Sequence, residues 1–137
     1  MKATIKLGFA PTRRAIFSAP AAVEYRNLTA ARLRELGIDF VDIDDVNDEG
    51  LLYDDAGLEK IIEKFRREKV DGLFLPHANF GTEYECARLA KALGVPVLLW
   101  GPRDERPDET ACACGTASAA SLPPARCCGA SACPSPI

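Results

Sequence analysis

Short apolar runs alternate with amphipathic helical segments throughout residues 1–110, and this alternation restricts the fold more than any other feature of the chain. The runs that have the length of β-strands are ATIKLGFA, IDFVDID, VDGLFLPH and VPVLLW. The third run is almost continuously apolar, which is typical of a strand buried on both faces of a sheet. We therefore predict an α/β fold in which parallel strands are joined by right-handed crossovers through helices.

Helices are predicted between these strands from apolar spacing and from end signals. The first begins near Ser18, a suitable N-cap with Pro20 in the first turn, and it ends at Gly37. The third is predicted to begin with a capping box from Thr82 to Glu85. The positions expected to face the core are Ala22, Tyr25, Thr29, Leu33 and Leu36 in the first helix and Leu58, Ile61, Ile62 and Phe65 in the second.

The loops that follow the strands are where binding residues are expected. Ligands of open parallel sheets bind outside the carboxyl ends of the strands. In this chain those ends lead into loops that begin at Pro11, Asp44, His77 and Gly101. The polar residues of these loops are therefore the candidates for a functional site.

The first loop carries the adjacent arginines Arg13 and Arg14. An arginine pair in this position suits a phosphate, a carboxylate or sugar hydroxyls. The simpler interpretation is solvated surface charge, and on these residues alone we favour it. The loop lacks the glycine-rich pattern that holds nucleotide phosphates, so a dinucleotide or P-loop site is excluded.

His77, the only histidine, opens the third loop, and Asn79 follows it. A single histidine is more often structural than functional, but its position at the end of a strand favours contact with a ligand. A metal site is not predicted, because Glu83 and Glu85 belong to the following helix. The segments DIDDVNDE and WGPRDERP are interpreted as a solvated loop and a salt-bridged turn, although the first could bind a hard cation.

Composition restricts the partners and the compartment. The formal net charge of −3 gives no basic surface for nucleic acid, and the apolar runs are too short to span a membrane. The opening MKATIKLGFAPTRR has neither the long apolar run nor the cleavage site of a signal peptide. We therefore expect a cytoplasmic protein with reduced thiols and with neither a nucleic-acid nor a membrane partner.

Taken together, the strand-end loops resemble a known family. The segments KLGFAPTRRAIFSA, DFVDID, EGLLYD, LFLPHANFGTE and VLLWGPRDERP are similar, in this order across residues 3–110, to the N-terminal domain of L-fucose/L-arabinose isomerases. These are metal-dependent aldose–ketose isomerases of carbohydrate metabolism, cytosolic and homo-oligomeric at full length. The resemblance implies a flavodoxin- or Rossmann-like three-layer α/β/α domain, here incomplete with about four strands.

The resemblance also implies roles for individual residues. Arg13, Arg14, His77 and Asn79 would line the sugar pocket, which in this family is often shared with a neighbouring subunit. The family's Mn²⁺ ligands belong to later domains, so we expect no metal, cofactor or catalytic residue in this chain. The expected function is that of the N-terminal part of an aldose–ketose isomerase, inactive alone. The alternative is a free-standing β/α module that binds a sugar or an anion.

Residues 111–137 differ from the rest of the chain, since they contain five of the six cysteines but a single charged residue. A zinc site is disfavoured because C-x-C and C-C are not zinc-knuckle spacings, and disulfides conflict with a cytoplasmic location. We favour translation out of frame after loss of one nucleotide near the codon for Thr110, since the shifted frame can encode a helix and a strand. The expectation is a β/α domain over residues 1–110, a disordered tail over residues 111–137, and an uncovered fourth strand.

Overall fold

A computed structural model describes residues 4–103, which contain a four-stranded sheet. Within that range no helix is both long enough and apolar enough to cross a bilayer. The predicted boundary at residue 110 and the predicted disordered tail lie outside the described residues. The elements are β1 (Leu7–Phe9), α1 (Ala19–Glu35), β2 (Phe40–Val41), α2 (Asp55–Glu68), β3 (Gly72–Pro76), α3 (Glu83–Leu93) and β4 (Val97–Trp100).

The sheet is parallel throughout and has the strand order β2-β1-β3-β4. Gly8 of β1 pairs with Val41 on one side and with Leu73 on the other, so β1 is an inner strand. The chain runs outward from β1 to β2, crosses back to β3 and continues to β4. This arrangement confirms the predicted α/β fold and puts the reversal of strand order between β1 and β3.

Helices cover both faces of the inner strands, which gives the predicted three layers. On one face, β3 shares a buried cluster with α2 and α3 that includes Leu58, Phe65 and Leu75. On the other face, the rings of Phe9 and Phe74 pack with buried residues of α1. Strand β3 is buried over its whole length, as its continuous apolar sequence predicts.

The helix ends follow the sequence signals with one exception. The Ser18 hydroxyl accepts a hydrogen bond from the amide of Ala21 at 3.3 Å, and Gly37 follows α1 with a φ of +67°. Thr82 precedes α3 as predicted, but it makes no side-chain cap hydrogen bond. The predicted capping box from Thr82 to Glu85 is therefore wrong, because the Thr82 hydroxyl is buried and does not reach an amide of the first turn.

The buried face of α1 also differs from the predicted one. Ala22 and Leu33 are buried as expected, but Leu36 is exposed and the charged Arg26 is buried with Ala30. Arg26 can be buried because its hydrogen-bond partners, Asp42 and the carbonyl of Gly50, lie beneath the helix.

Arg26 joins three parts of the chain by polar contacts. Its Nη2 donates to Oδ1 of Asp42, just after β2, at 2.5 Å, and its Nε donates to the carbonyl of Gly50 at 3.3 Å. A buried ion pair of this kind stabilises only while both partners are present, since a lone buried charge is costly. Gly50 has a φ of +63°, and a Cβ there would lie 2.7 Å from Nε of Arg26. Both the backbone conformation and the close approach therefore require glycine.

Gly50→Ala is expected to lower the free energy of unfolding by roughly 2–3 kcal/mol, because it adds a steric clash to left-handed backbone strain. Gly37→Ala is the matched control, since Gly37 has a φ of +67° but no atom within 4 Å of its Cβ position. That control should lose only about 1 kcal/mol. Urea unfolding of both variants measures the difference, and equal losses would contradict a requirement for space beside Arg26.

Strand β4 is the least covered element of the sheet. Its four side chains, Val97, Leu98, Leu99 and Trp100, are all exposed, as predicted for the fourth strand. Because alternate side chains of a strand point to opposite faces, both faces of β4 are open among residues 4–103. An apolar strand at the edge of a sheet is a template for pairing with another chain.

Leu98→Lys is expected to slow concentration-dependent aggregation, because a charge on an edge strand opposes intermolecular pairing. Leu98 is 61% exposed, so the free energy of unfolding should change by about 0.5 kcal/mol or less. Leu28→Lys is the control, since Leu28 is 59% exposed but lies on helix α1. Light scattering at several protein concentrations, with urea unfolding in parallel, measures both quantities. The same aggregation rate for the two variants would show that the chains do not aggregate by pairing through β4.

Candidate functional site

The loops after β1 and β3 meet where the strand order of the sheet reverses. In open α/β sheets this reversal creates a crevice at the carboxyl ends of two neighbouring strands. The predicted residues Arg13 and Arg14 follow β1, and His77 and Asn79 follow β3. The structure therefore brings all four predicted site residues to one edge of the sheet.

Backbone pairing continues past the end of β1 and fixes the first loop. Thr12 forms parallel bridges with Leu52 on one side and with His77 on the other. Its amide donates to the carbonyl of Pro76 at 2.8 Å, and its carbonyl accepts from the amide of Ala78 at 2.9 Å. The starting point of the arginine loop is consequently set by the sheet on both sides.

The ring of His77 is held by Thr12 and by Gly81. Nδ1 of His77 and Oγ1 of Thr12 form a hydrogen bond of 2.8 Å, and Thr12 is fully buried. A Cβ at position 81 would lie 2.6 Å from Cε1 of His77, so glycine leaves the space that the ring occupies. Nε2 has no hydrogen-bond partner among the described residues, and the residue is half-buried.

Burial lowers the pKa of His77 below its ordinary value of 6.5, and the nearby carboxylate of Glu83 opposes this by a smaller amount. The imidazole is therefore neutral at pH 7, with one nitrogen that donates and one that accepts. A neutral ring suits the recognition of hydroxyl groups, which themselves both donate and accept hydrogen bonds.

Asn79 is fully buried and holds the first loop in place. Its Oδ1 accepts hydrogen bonds from the amides of Arg14 at 2.9 Å and Phe80 at 2.5 Å, and its Nδ2 donates to the carbonyl of Ser18 at 3.3 Å. These contacts join the loop after β3 to the middle and to the C-terminal end of the segment between β1 and α1. The predicted contact of Asn79 with a ligand stays a prediction, since these bonds are all to protein atoms.

Arg13 is neither free nor solvated. Its guanidinium donates to both carboxylate oxygens of Glu49, with an Nη2–Oε1 distance of 3.0 Å, and lies 4.1 Å from the ring centroid of Tyr53. The side chain is only 12% exposed. Bidentate pairing and stacking on an aromatic ring are the two geometries in which arginine is held most firmly.

Arg14 repeats this pattern on the other side of the loop. Its guanidinium donates to Glu83 in the first turn of α3 and lies 4.7 Å from the ring centroid of Phe80. The ring of Phe80 is in turn stacked with that of Phe17, with 5.4 Å between their centroids. The interpretation as solvated surface charge is therefore wrong for Arg13, whereas Arg14 is still surface charge, with a side chain that is 37% exposed and paired with an exposed carboxylate.

The sequence did not indicate which residues hold the predicted site residues in place. Thr12 was not singled out, and neither were Glu49 and Tyr53. The carboxylates lie far along the chain from their arginines, 36 residues for Glu49 and 69 for Glu83. The only available signal is that Glu49 and Tyr53 both lie within EGLLYD, a segment that the resemblance includes.

The other candidate residues have structural partners. In the acidic loop, Asn47 Oδ1 accepts from the amides of Glu49, Gly50 and Leu51, and Asp45 pairs with Lys64. Within residues 4–103 no group of three His, Cys, Asp or Glu side chains could hold a metal ion. Burial raises the pKa of the Cys86 thiol to about 11, so this cysteine is not a nucleophile at neutral pH.

We predict that part of the stability is lost as the pH falls through 6.5, the ordinary pKa of histidine. Below that pH the unfolded chain binds a proton at His77, whereas the folded chain, with its lowered pKa, does not yet do so. Acid therefore favours unfolding, and His77→Gln removes this contribution while keeping a polar side chain beside Thr12. Urea unfolding at about pH 7.5 and about pH 5.5 should show a larger loss for the wild type than for the variant. Equal losses would mean that the ring is not kept neutral by burial.

Comparison with known protein families identifies a match over most of the chain. Residues 8–120 match the model of the fucose/sulfoquinovose isomerase family, in the part described as the N-terminal domain. The matched range includes all four predicted site residues and ends within the cysteine-rich segment. No curated protein and no solved structure matches the chain.

Proposed function

Since the chain belongs to the fucose/sulfoquinovose isomerase family, through its N-terminal domain, we propose that it supplies part of the sugar pocket of an L-fucose/L-arabinose-type aldose–ketose isomerase. In this function the loops after β1 and β3 recognise the sugar. The bond-making chemistry is performed by other parts of the enzyme.

The observation that carries the proposal is the joint fixing of these two loops at the strand reversal. Thr12 connects them through its backbone and through the hydrogen bond to His77, and Asn79 connects them again through Arg14 and Ser18. A pocket whose walls are held in this way needs no rearrangement to present Nε2 of His77 to a sugar hydroxyl. Such preorganisation lowers the entropic cost of binding a small polar ligand.

The metal of the family does not fit the described part of this chain. Mn²⁺ prefers oxygen and nitrogen ligands gathered around one point, and residues 4–103 contain no group of three His, Cys, Asp or Glu side chains placed in that way. The two carboxylates beside the arginine loop, Glu49 and Glu83, are engaged by arginines. We therefore assign recognition rather than metal chemistry to this domain.

The loop between β1 and α1 also suits a contact with a neighbouring subunit. Ile16 at its tip is 75% exposed, close in sequence to Phe17, whose ring stacks on that of Phe80. A single exposed aliphatic side chain is common on protein surfaces, so the oligomer proposed here rests on the family resemblance, and Ile16 only marks where a contact would bury apolar surface. We propose that the complete isomerase is a homo-oligomer in which this tip is covered.

Binding of L-fucose and L-arabinose to the full chain tests the pocket. Both sugars are expected to shift the amide NMR signals of Arg14, His77 and Phe80 in a saturable manner. His77→Ala should weaken binding roughly threefold to tenfold, which corresponds to one hydrogen bond between neutral groups. Arg32→Gln is the control, since Arg32 pairs with Glu35 on the exposed surface of α1 and should leave binding unchanged. Saturable shifts confined to another part of the chain would refute the pocket.

An isomerase assay with Mn²⁺ and either aldose tests the division of labour. We expect sugar binding without formation of ketose. Ketose formation by this chain alone would contradict the assignment of the chemistry to other parts of the enzyme. Binding of anions without binding of either sugar would favour the free-standing binding module instead.

A further inference from the structure

Among the described residues, four charged side chains that are distant in sequence pair with one another at the candidate site. Two arginines in one strand-end loop suggest a site for an anion. In the structure, however, Arg13 is paired with Glu49 and Arg14 with Glu83. The two positive charges are therefore cancelled within the site by two negative ones.

The pairing of Arg13 leaves little capacity for a second anion. Both of its hydrogen bonds to Glu49 come from the edge of the guanidinium that presents Nε and Nη2, and the face stacks on Tyr53. The side chain is 12% exposed, so an incoming anion would first have to displace the carboxylate from a partly dehydrated pair. Replacing one bidentate carboxylate by another anion gains little free energy, because the same interaction is lost and remade.

Arg14 is the more accessible of the two, but it is also committed. Its side chain is 37% exposed and its partner Glu83 is 74% exposed. Glu83 lies at the positive end of the α3 dipole, which favours its carboxylate there by roughly 0.3–1 kcal/mol. His77, on the same edge, is neutral at pH 7 and adds no positive charge.

We propose that the crevice between the β1 and β3 loops selects an uncharged sugar, a neutral aldose of the fucose type, over a sulfonated or phosphorylated one. The inference rests on the proposed function, and it distinguishes between the two kinds of sugar in the family description, since fucose is uncharged and sulfoquinovose carries a sulfonate. Neutral hydroxyls can bind to the outer edges of the paired groups and to His77 without separating an ion pair. An anionic group meets a site whose charges are already satisfied.

The closing experiment uses inorganic phosphate and a sulfonated sugar as anionic probes, with L-fucose as the neutral probe, on the full chain. The wild type should bind L-fucose with less than about a twofold change between low and physiological salt, because no net charge is involved. Phosphate and the sulfonated sugar should bind at least roughly tenfold more weakly than L-fucose.

Glu83→Gln frees the Arg14 guanidinium and should raise the affinity for phosphate by roughly tenfold, in a salt-dependent manner. Glu59→Gln is the matched control: it removes one carboxylate of similar exposure that pairs with Arg88, and it should leave phosphate affinity unchanged. Because Glu83 is exposed, the variant is expected to fold, and thermal unfolding checks this.

The results separate this inference from the proposed function. Tight phosphate or sulfonate binding by the wild type, or no gain in Glu83→Gln, would overturn the inference whatever the sugars do. L-fucose binding and weak phosphate binding by the wild type, with a gain of phosphate binding in Glu83→Gln, support the inference. If neither L-fucose nor L-arabinose binds, the proposed function fails, and the inference that rests on it fails with it.

Discussion

Thr12, which lies beyond the end of β1, forms backbone bridges with the chain on both sides, and the rest of the site depends on this pairing. An inner strand normally passes into a loop that is free to move, but here the backbone stays bonded to the end of β3 and to the loop before α2. The Thr12 side chain is buried and bound to His77, so its neighbours in sequence must leave the sheet at a fixed point. Arg13 and Arg14 follow directly, and their positions are thereby determined by sheet geometry.

Buried polar groups extend this constraint to the surrounding loops. Asn79 uses its amide to hold the first loop, and Arg26 holds the second through Gly50 and Asp42. A buried polar group that loses its partner costs free energy, so each of these residues penalises any movement of the loop it holds. The edge that carries the candidate ligand residues is thus the most polar part of the interior and also a well-connected one. Rigid loops of this kind suit recognition of a small ligand by a few hydrogen bonds.

Much of the fold was predictable from the sequence, because helix and strand periodicities are local. The continuous apolar run of β3 indicates burial on both faces, and Ser18 with Pro20 marks the start of α1. The buried face of α1 was predicted incorrectly because spacing alone cannot show that Arg26 has Asp42 beneath it. In the same way, Arg13 and Arg14 could be placed at the right edge, but their neutralisation could not be predicted. That depends on carboxylates brought close only by the crossover of the chain between β2 and β3.

The edge of the sheet formed by β4 is exposed, whereas the carboxyl edge is held by buried polar groups, and the two edges are directly connected. The amide of His77 donates to the carbonyl of Trp100 at 2.8 Å, and the Trp100 ring stacks on Phe74 with 5.9 Å between centroids. Any surface that covers β4 therefore orders the strand that holds the backbone of His77. Since a ligand that binds only the folded state stabilises it, a sugar held by His77 would also favour the paired state of β4. The two edges of the sheet are thus connected by this one hydrogen bond and by the adjoining rings.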